Sequence, residues 1–452
     1  PHVPFSLAYL AEFPGFVHLM CVQSGWPSWA VVGVGIVGLL ALQMLLALCL
    51  THLARHTGSR ARAGIAVMMF AAVAIAGGVA QGVAGLSAYI AEPFAPSLAV
   101  DVWQTVQRWQ DPAPSDEPIH RAIDEGRERL AAAPHDLRGL GLADVHVIIV
   151  ESYGRVALRN PDLAPAMASL WQELAQEAAG AGFSIVSSAC EPAINGGASW
   201  LAHAELFCSL RVADRRTWEL LLASDTLALP KLFRAAGYTT VEAMPAMDRH
   251  WPEGQAFYGF DQSITQLEFG YSGFRYGFGV VPDQFVLHHL LEHVIAPAQT
   301  PLFTTFLSAS SHGPFKPLPP FVEDWNIGAN TFETPPAEGQ GASFFAMASD
   351  PDVVRAYRDA IAYSLRTAIG FTRRLQRPSV VVLLGDHQPP ISRLVVPPDT
   401  TRDVPIHVLS NRPELLEPWL AEGFVRGAAV PGELLAFPLA QLAPRLLRVW
   451  AR

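Results

Sequence analysis

Two stretches of the chain run apolar without relief. Residues 30–50, "AVVGVGIVGLLALQMLLALCL", and 63–90, "AGIAVMMFAAVAIAGGVAQGVAGLSAYI", contain no Asp, Glu, Lys or Arg. At about 1.5 Å rise per helical residue, either is long enough to cross a hydrocarbon core of about 30 Å, so the pattern predicts two transmembrane helices. Core helices of globular proteins rarely run so far without a charge. The loop between them, "THLARHTGSRARAG", carries Arg55, Arg60 and Arg62 and no acid. The positive-inside bias places that loop in the cytoplasm and both flanking ends outside. The preceding "VPFSLAYLAEFPGFVHLM" is interrupted by Glu12, Pro14 and His18 and reads as an interfacial helix.

Beyond residue 93 the pattern changes. Residues 94–142 are rich in Pro, Asp and Arg and read as a linker with one amphipathic helical piece, "PIHRAIDEGRERLAAA". From 143 to 452 short apolar runs alternate with helical periodicity. The runs are "ADVHVIIVES", "FSIVSSA" (183–189), "YTTVEAM" (238–244), "LFTTFLSAS" (302–310), "SVVVLLG" (379–385) and "DVPIHVLS" (403–410). Helical patterns fall at 163–179, 200–235, 283–295, 351–375 and 432–449. This alternation predicts an α/β layer sandwich with a mostly parallel central sheet. Three regions follow: a membrane region (1–93), a linker (94–142) and an extracytoplasmic domain (143–452).

Charge narrows the function. The chain holds 31 basic and 41 acidic residues among 452, a net charge of -10, which argues against nucleic acid as a partner. Of the four cysteines, Cys190 and Cys208 fall in the outer domain, where a disulfide between them can persist; two reduced buried thiols are the alternative.

The chemistry sits where apolar runs stop. In "SVVVLLGDHQPP" five large apolar residues and a glycine lead into adjacent Asp386 and His387, and "ADVHVIIVES" likewise ends in Glu151. Ligands of open α/β sheets bind beyond the carboxyl ends of strands, so these three side chains are candidate metal ligands. Carboxylate and imidazole donors suit Mn²⁺, Mg²⁺ or Zn²⁺. An acid after a strand also serves as a helix cap. "NGGASWLAHAEL" sets Ser199 behind two glycines at the start of a helical pattern, where its hydroxyl could cap the helix or act as a nucleophile sharpened by a nearby cation.

Taken together, "VESYGR", "GGASWLAHAEL", "FYGFDQS", "SSHGPF" and "GDHQPP" resemble, in order, the sulfatase-like branch of the alkaline phosphatase superfamily, in particular membrane-anchored phosphoglycerol transferases of the lipoteichoic acid synthase type. The resemblance covers about 145–410. It implies an alkaline-phosphatase-like sandwich in which Glu151, Ser199, Asp386 and His387 bind one divalent cation, Mn²⁺ in this branch with Mg²⁺ or Zn²⁺ as alternatives. It further implies that Ser199 forms a phospho-enzyme, that His312 contacts the head group or protonates a leaving oxygen, and that Arg249 holds the phosphate. Trp200, beside the nucleophile, joins the substrate-binding set.

The implied partners are a phosphatidylglycerol-like membrane lipid as donor and a glycan or lipid as acceptor. The implied location is the bacterial inner membrane, with the catalytic domain on the periplasmic side. That family has threonine at the position of Ser199 and five membrane spans. Sulfatases proper carry C-x-P-x-R, and here "CEPAI" places Ile194 where the arginine would stand. Alternatives are a phosphodiesterase, phosphonate or sulfate ester hydrolase of the same architecture, a phosphoethanolamine transferase, and a non-catalytic envelope binding protein. His203, His407 and the pair His288–His289 read as packing residues.

Overall fold

Every apolar run singled out in the outer domain forms a strand, and all of them join one sheet. A computed structural model describes residues 115–334, 347, 351–391 and 401–451. The expected membrane helices at 30–50 and 63–90 lie outside the described residues. Among the described residues, no helix is long and apolar enough to cross a membrane.

The main strands are β1 (Asp144–Val150), β2 (Ser184–Glu191), β3 (Thr239–Met244), β4 (Gln262–Thr265), β5 (Leu302–Leu307), β6 (Ser379–Gly385) and β7 (Val404–Ser410). Two-residue strands β8 (Val425–Arg426) and β9 (Phe437–Pro438) complete a nine-stranded sheet of order β4-β3-β5-β1-β6-β7-β2-β8, with β9 on β2. Neighbours from β4 through β6 run parallel, and β7 runs antiparallel to both β6 and β2. The sheet is therefore mixed but predominantly parallel. β1 and β6 are buried along their whole length, the burial expected of central strands covered on both faces.

The pattern at 200–235 divides into three helices, Ser199–Cys208, Arg215–Leu222 and Leu229–Ala235. Asp214 caps the second by accepting from the Thr217 amide at 2.8 Å, and Pro230 stands in the first turn of the third. The amphipathic piece before β1 is helix α1 (Glu117–Ala132), and the pattern at 163–179 forms helix α2 (Ala164–Gly180). Ile123 and Leu130 of α1, with Leu137 and Leu140, pack in the same core as Val145 and Val147 of β1. The described part of the expected linker thus belongs to the globular unit, which spans Ser115–Gln340 and Asp352–Arg452. The reason is burial: the apolar stripe of α1 has a core to cover.

Register decides what the sheet does. β1 and β6 pair with Val150 opposite Gly385, so Glu151 and Asp386 leave the same edge side by side. On the other flank Ile149 pairs with Leu307, so the segment from Ser308 leaves that edge too. The chain after β1 then turns tightly across the end of β6. A Cβ on Gly385 would lie 2.0 Å from the Tyr153 carbonyl oxygen. Backbone cannot retreat as a flexible side chain can, so Gly385→Ala should destabilise the fold by about 3 kcal/mol. Denaturant unfolding of the full chain, read as a lowered midpoint at unchanged slope, measures this.

Candidate active site

Four side chains from three separate segments meet at the carboxyl edge of the sheet. Ser199 opens helix α3 (Ser199–Cys208) after Gly196 and Gly197, with φ of +74° and +125°, and Ala198 at +60°. A non-glycine residue in the left-handed region costs on the order of 1 kcal/mol, and Ser152, beside Glu151, is held there as well at +59°. Ser199 occupies the first turn of the helix, and its hydroxyl does not serve as the cap. It donates instead to Glu151 Oε2 at 2.9 Å and lies 3.1 Å from His387 Nε2. Glu151 Oε1 and Asp386 Oδ2 lie 3.3 and 3.6 Å from the same nitrogen.

Neighbouring groups fix each member. Asp386 Oδ1 accepts from the amides of Ser152 and His387, both at 2.8 Å, which turns Oδ2 into the cluster. His387 Nδ1 donates to the Gln388 carbonyl at 2.8 Å, and a carbonyl can only accept, so Nε2 is the nitrogen left facing Ser199 and the two acids. Ser152 Oγ donates to Glu151 Oε1 at 2.9 Å, and Ser311 Oγ donates to the Glu151 carbonyl at 2.7 Å. Behind the cluster, Gln388 Nε2 donates to the Asp403 carbonyl and Arg155 Nη1 to the Asp403 carboxylate, both at 2.6 Å. That buried ion pair locks the two site loops to the start of β7.

Electrostatics set the demand on this cluster. Burial raises the Glu151 carboxyl, but the charge and hydrogen bond of His387, with His312 and Ser199 adding to them, hold it below the usual carboxylate range. Burial and the charge of Glu151 push Asp386 up to about 7. Burial disfavours a charged His387, yet Asp386 and Glu151 together raise it to about 9. Two buried acids therefore draw positive charge onto the one imidazole between them.

A divalent cation answers the same demand. Glu151, Asp386 and His387 each offer a ligand atom, all within 4.8 Å of one another. Asp386 Oδ2 is buried with no hydrogen-bond partner, an acceptor left open toward the cluster. Two carboxylates, one imidazole and one hydroxyl fit a hard or borderline divalent ion.

The other predicted residues are placed as follows. His312 follows β5, its Nδ1 donates to the Gly313 carbonyl at 2.7 Å, and its ring stacks on Phe278 with centroids 3.8 Å apart. It lies close enough to Glu151 to depress that carboxyl. Phe278 belongs to the glycine- and aromatic-rich stretch 267–279. Trp200, next to Ser199, is 40% exposed, whereas the other described tryptophans are buried or half-buried. Arg249 is exposed in the segment after β3 and joins no cluster member by hydrogen bond or ion pair.

The disulfide expectation is corrected: Cys190 on β2 and Cys208 at the end of α3 are both buried free thiols. Each packs as a small apolar side chain in the core, and burial pushes the Cys208 thiol up to about 12. His407 is a satisfied core residue, bound to Ser187 Oγ at 2.8 Å and to Tyr153 OH at 3.3 Å. Sequence reading passed over Ser152, Ser311 and the Arg155–Asp403 pair, since nothing in their local sequence marks a long-range contact.

Comparison with known proteins agrees with the sequence motifs. Residues 206–413 match the sulfatase family. That stretch contains His312, Asp386 and His387, while Glu151 and Ser199 precede it. Similar solved structures include the lipoteichoic acid synthase LtaP from Listeria monocytogenes, at 13% identity over 63% of this chain and 71% of that one, TM-score 0.42. Streptococcus pyogenes phosphoglycerol transferase GacH, in complex with sn-glycerol-1-phosphate, is 12% identical over 75% and 94%, TM-score 0.42. The C-terminal periplasmic domain of phosphoethanolamine transferase EptC from Campylobacter jejuni is 11% identical over 67% and 87%, TM-score 0.42. No curated protein matches the chain significantly. The match over 206–413, a little under half of the chain, agrees with the order of the sequence motifs and makes that stretch similar to the sulfatase family.

Proposed function

We propose that this protein transfers a phosphoglycerol-type group from a membrane lipid head group to a glycan or lipid acceptor through a phospho-serine intermediate. The observation that carries the reading is the Ser199 hydroxyl, 2.9 Å from Glu151 and 3.1 Å from His387, beside an Asp386 Oδ2 that accepts no hydrogen bond. Glu151, Ser199, Asp386 and His387 would hold one divalent cation, taken as Mn²⁺. When bound, such an ion supplies positive charge that lowers the pKa of the serine hydroxyl and neutralises phosphoryl oxygens.

The protein's own groups do the rest. Ser199 Oγ already donates its proton to Glu151 and attacks the phosphorus of the lipid phosphodiester. The phosphorus–oxygen bond to diacylglycerol breaks as the bond to Ser199 forms. The first amides of α3, with no side-chain cap, face the incoming anionic group. His312, its Nδ1–H anchored on Gly313, presents Nε2 to give the departing oxygen a proton. The same nitrogen then takes a proton from the acceptor hydroxyl, which displaces the phosphoryl group, and the freed Ser199 oxygen regains its proton from Glu151. The two apolar segments at 30–50 and 63–90 would hold the domain at the outer face of the inner membrane, where lipid head groups are concentrated.

The test is incubation of the full chain and Mn²⁺ with phosphatidylglycerol labelled in its head-group glycerol. Label appearing on an added glycan or lipid acceptor supports transfer. Label released only as free glycerophosphate makes the protein a hydrolase, and no release rejects the donor.

A further inference from the structure

Asp283 opens helix α4 (Asp283–Leu290) and takes no part in the four-residue cluster, yet it is wholly buried. A buried carboxylate is costly unless donors surround it. Here Oδ1 accepts from the amides of Ala309 at 2.9 Å and Ser310 at 3.1 Å. Oδ2 accepts from Ser308 Oγ at 2.9 Å and Ser364 Oγ at 3.0 Å. The Asp283 amide donates back to Ser310 Oγ at 3.0 Å. Four of these five bonds grip one segment, 308–310, which is the continuation of β5 past the edge of the sheet.

What that segment carries makes the grip matter. Ser308 donates its amide to the Ile149 carbonyl at 2.9 Å, and Ser311 donates its hydroxyl to the Glu151 carbonyl at 2.7 Å. The next residue is His312. The loop is thus sewn to β1 on either side of Val150, and Asp283 holds it from beneath.

We infer that Asp283 is a positioning residue: by fixing 308–310 it seats Ser311 against Glu151 and aims His312 at the reacting phosphoryl group. This rests on the function proposed above for the site. The role is one of hydrogen-bond geometry and does not need the charge. An asparagine could keep both backbone amides on its oxygen while its NH₂ donates to the two serine hydroxyls, which accept as readily as they give. An alanine keeps none of these bonds.

The experiment compares the full chain with Asp283→Ala, Asp283→Asn, His312→Ala and the Asp283→Ala/His312→Ala double variant. Each is assayed with Mn²⁺ and labelled phosphatidylglycerol in detergent micelles, whose alkoxide leaving group needs a proton. Asp283→Ala should lower kcat about 100-fold with KM little changed, the cost of misplacing a catalytic group by about 1 Å. Asp283→Asn should restore most of the rate. The double variant should be slower than His312→Ala by much less than the factor lost in Asp283→Ala, because most of that factor runs through the same nitrogen and only the seating of Ser311 against Glu151 remains to be lost.

Unchanged kcat in Asp283→Ala, or losses that multiply in full in the double variant, overturns the inference. Should Asp283→Ala not fold, Ser308→Ala removes one donor alone and should show the same non-additivity at smaller amplitude. Hydrogen exchange of the 308–316 segment gives a reading independent of substrate. Its protection should fall in Asp283→Ala and persist in Asp283→Asn, and unaltered protection in the alanine variant again rejects the inference. Ser199→Ala, run alongside, separates the two claims: its inactivity upholds the reading of the site whatever Asp283 does.

Discussion

Ser199→Ala is expected to lower phosphodiester turnover by about 10⁴-fold or more, the scale of losing a nucleophile that acts as part of a unit. The loss should be chemical and not structural. Ser199 makes no cap bond to the amides of α3, and the turn that presents it is set by the positive φ of Gly196, Gly197 and Ala198. The melting temperature should therefore stay close to that of the parent chain. Cation binding should weaken without disappearing, since Glu151, Asp386 and His387 remain. Mass spectrometry of protein quenched during turnover should find phosphorylation on the peptide containing Ser199 and none in the variant. Ser199→Thr keeps the hydroxyl and should retain turnover. An alanine variant that still transfers the label would remove the phospho-serine step and leave the cluster with only a binding role.

Much of this site was visible in one dimension because burial writes strongly in sequence. The run before Asp386 is apolar from Val380 onward and the run before Glu151 is apolar from Val147 onward, since β1 and β6 are covered on both faces, and an acid breaks the pattern just after each strand ends. The placing of His312 is similar, five residues past the end of β5.

What sequence could not show is adjacency. Strand order is a long-range property, and the neighbours of β1 are β5 and β6, distant in the chain on its C-terminal side. Only the register, Val150 with Gly385 and Ile149 with Leu307, brings three loop starts to one point. Short-range signals misled in two places. The polar surface of α1 read as a linker, though its buried stripe joins the core. Two cysteines in one expected domain allowed a bond, though each is an apolar filler in the core. Asp283 was hidden for a further reason: at the start of a helix an acid is ordinary, and the four partners of its five hydrogen bonds lie 25 to 81 residues away.

Asp386→Asn should separate cation binding from folding. The two Asp386 oxygens have different work. Oδ1 holds the turn by accepting from the amides of Ser152 and His387, and an asparagine oxygen can do the same. Oδ2 faces the cluster with no hydrogen bond, and there the substitution places an NH₂, a donor where a cation needs an acceptor. Removing even a residue that merely orients a ligand weakens metal binding by about 10–100-fold, so loss of a ligand oxygen and its charge should cost at least about 100-fold. The cation-free variant should be no less stable than the parent, because burial and Glu151 already oppose the charge on Asp386. Thermal melting with and without Mn²⁺ reads both effects. The parent should gain about 2.7 kcal/mol of stability at a concentration 100 times its Kd, whereas the variant at the same concentration should gain less than about 0.5 kcal/mol. A variant whose melting temperature still climbs with Mn²⁺ as the parent's does would show that the ion sits elsewhere, and Ser199 would lose the group proposed to activate it.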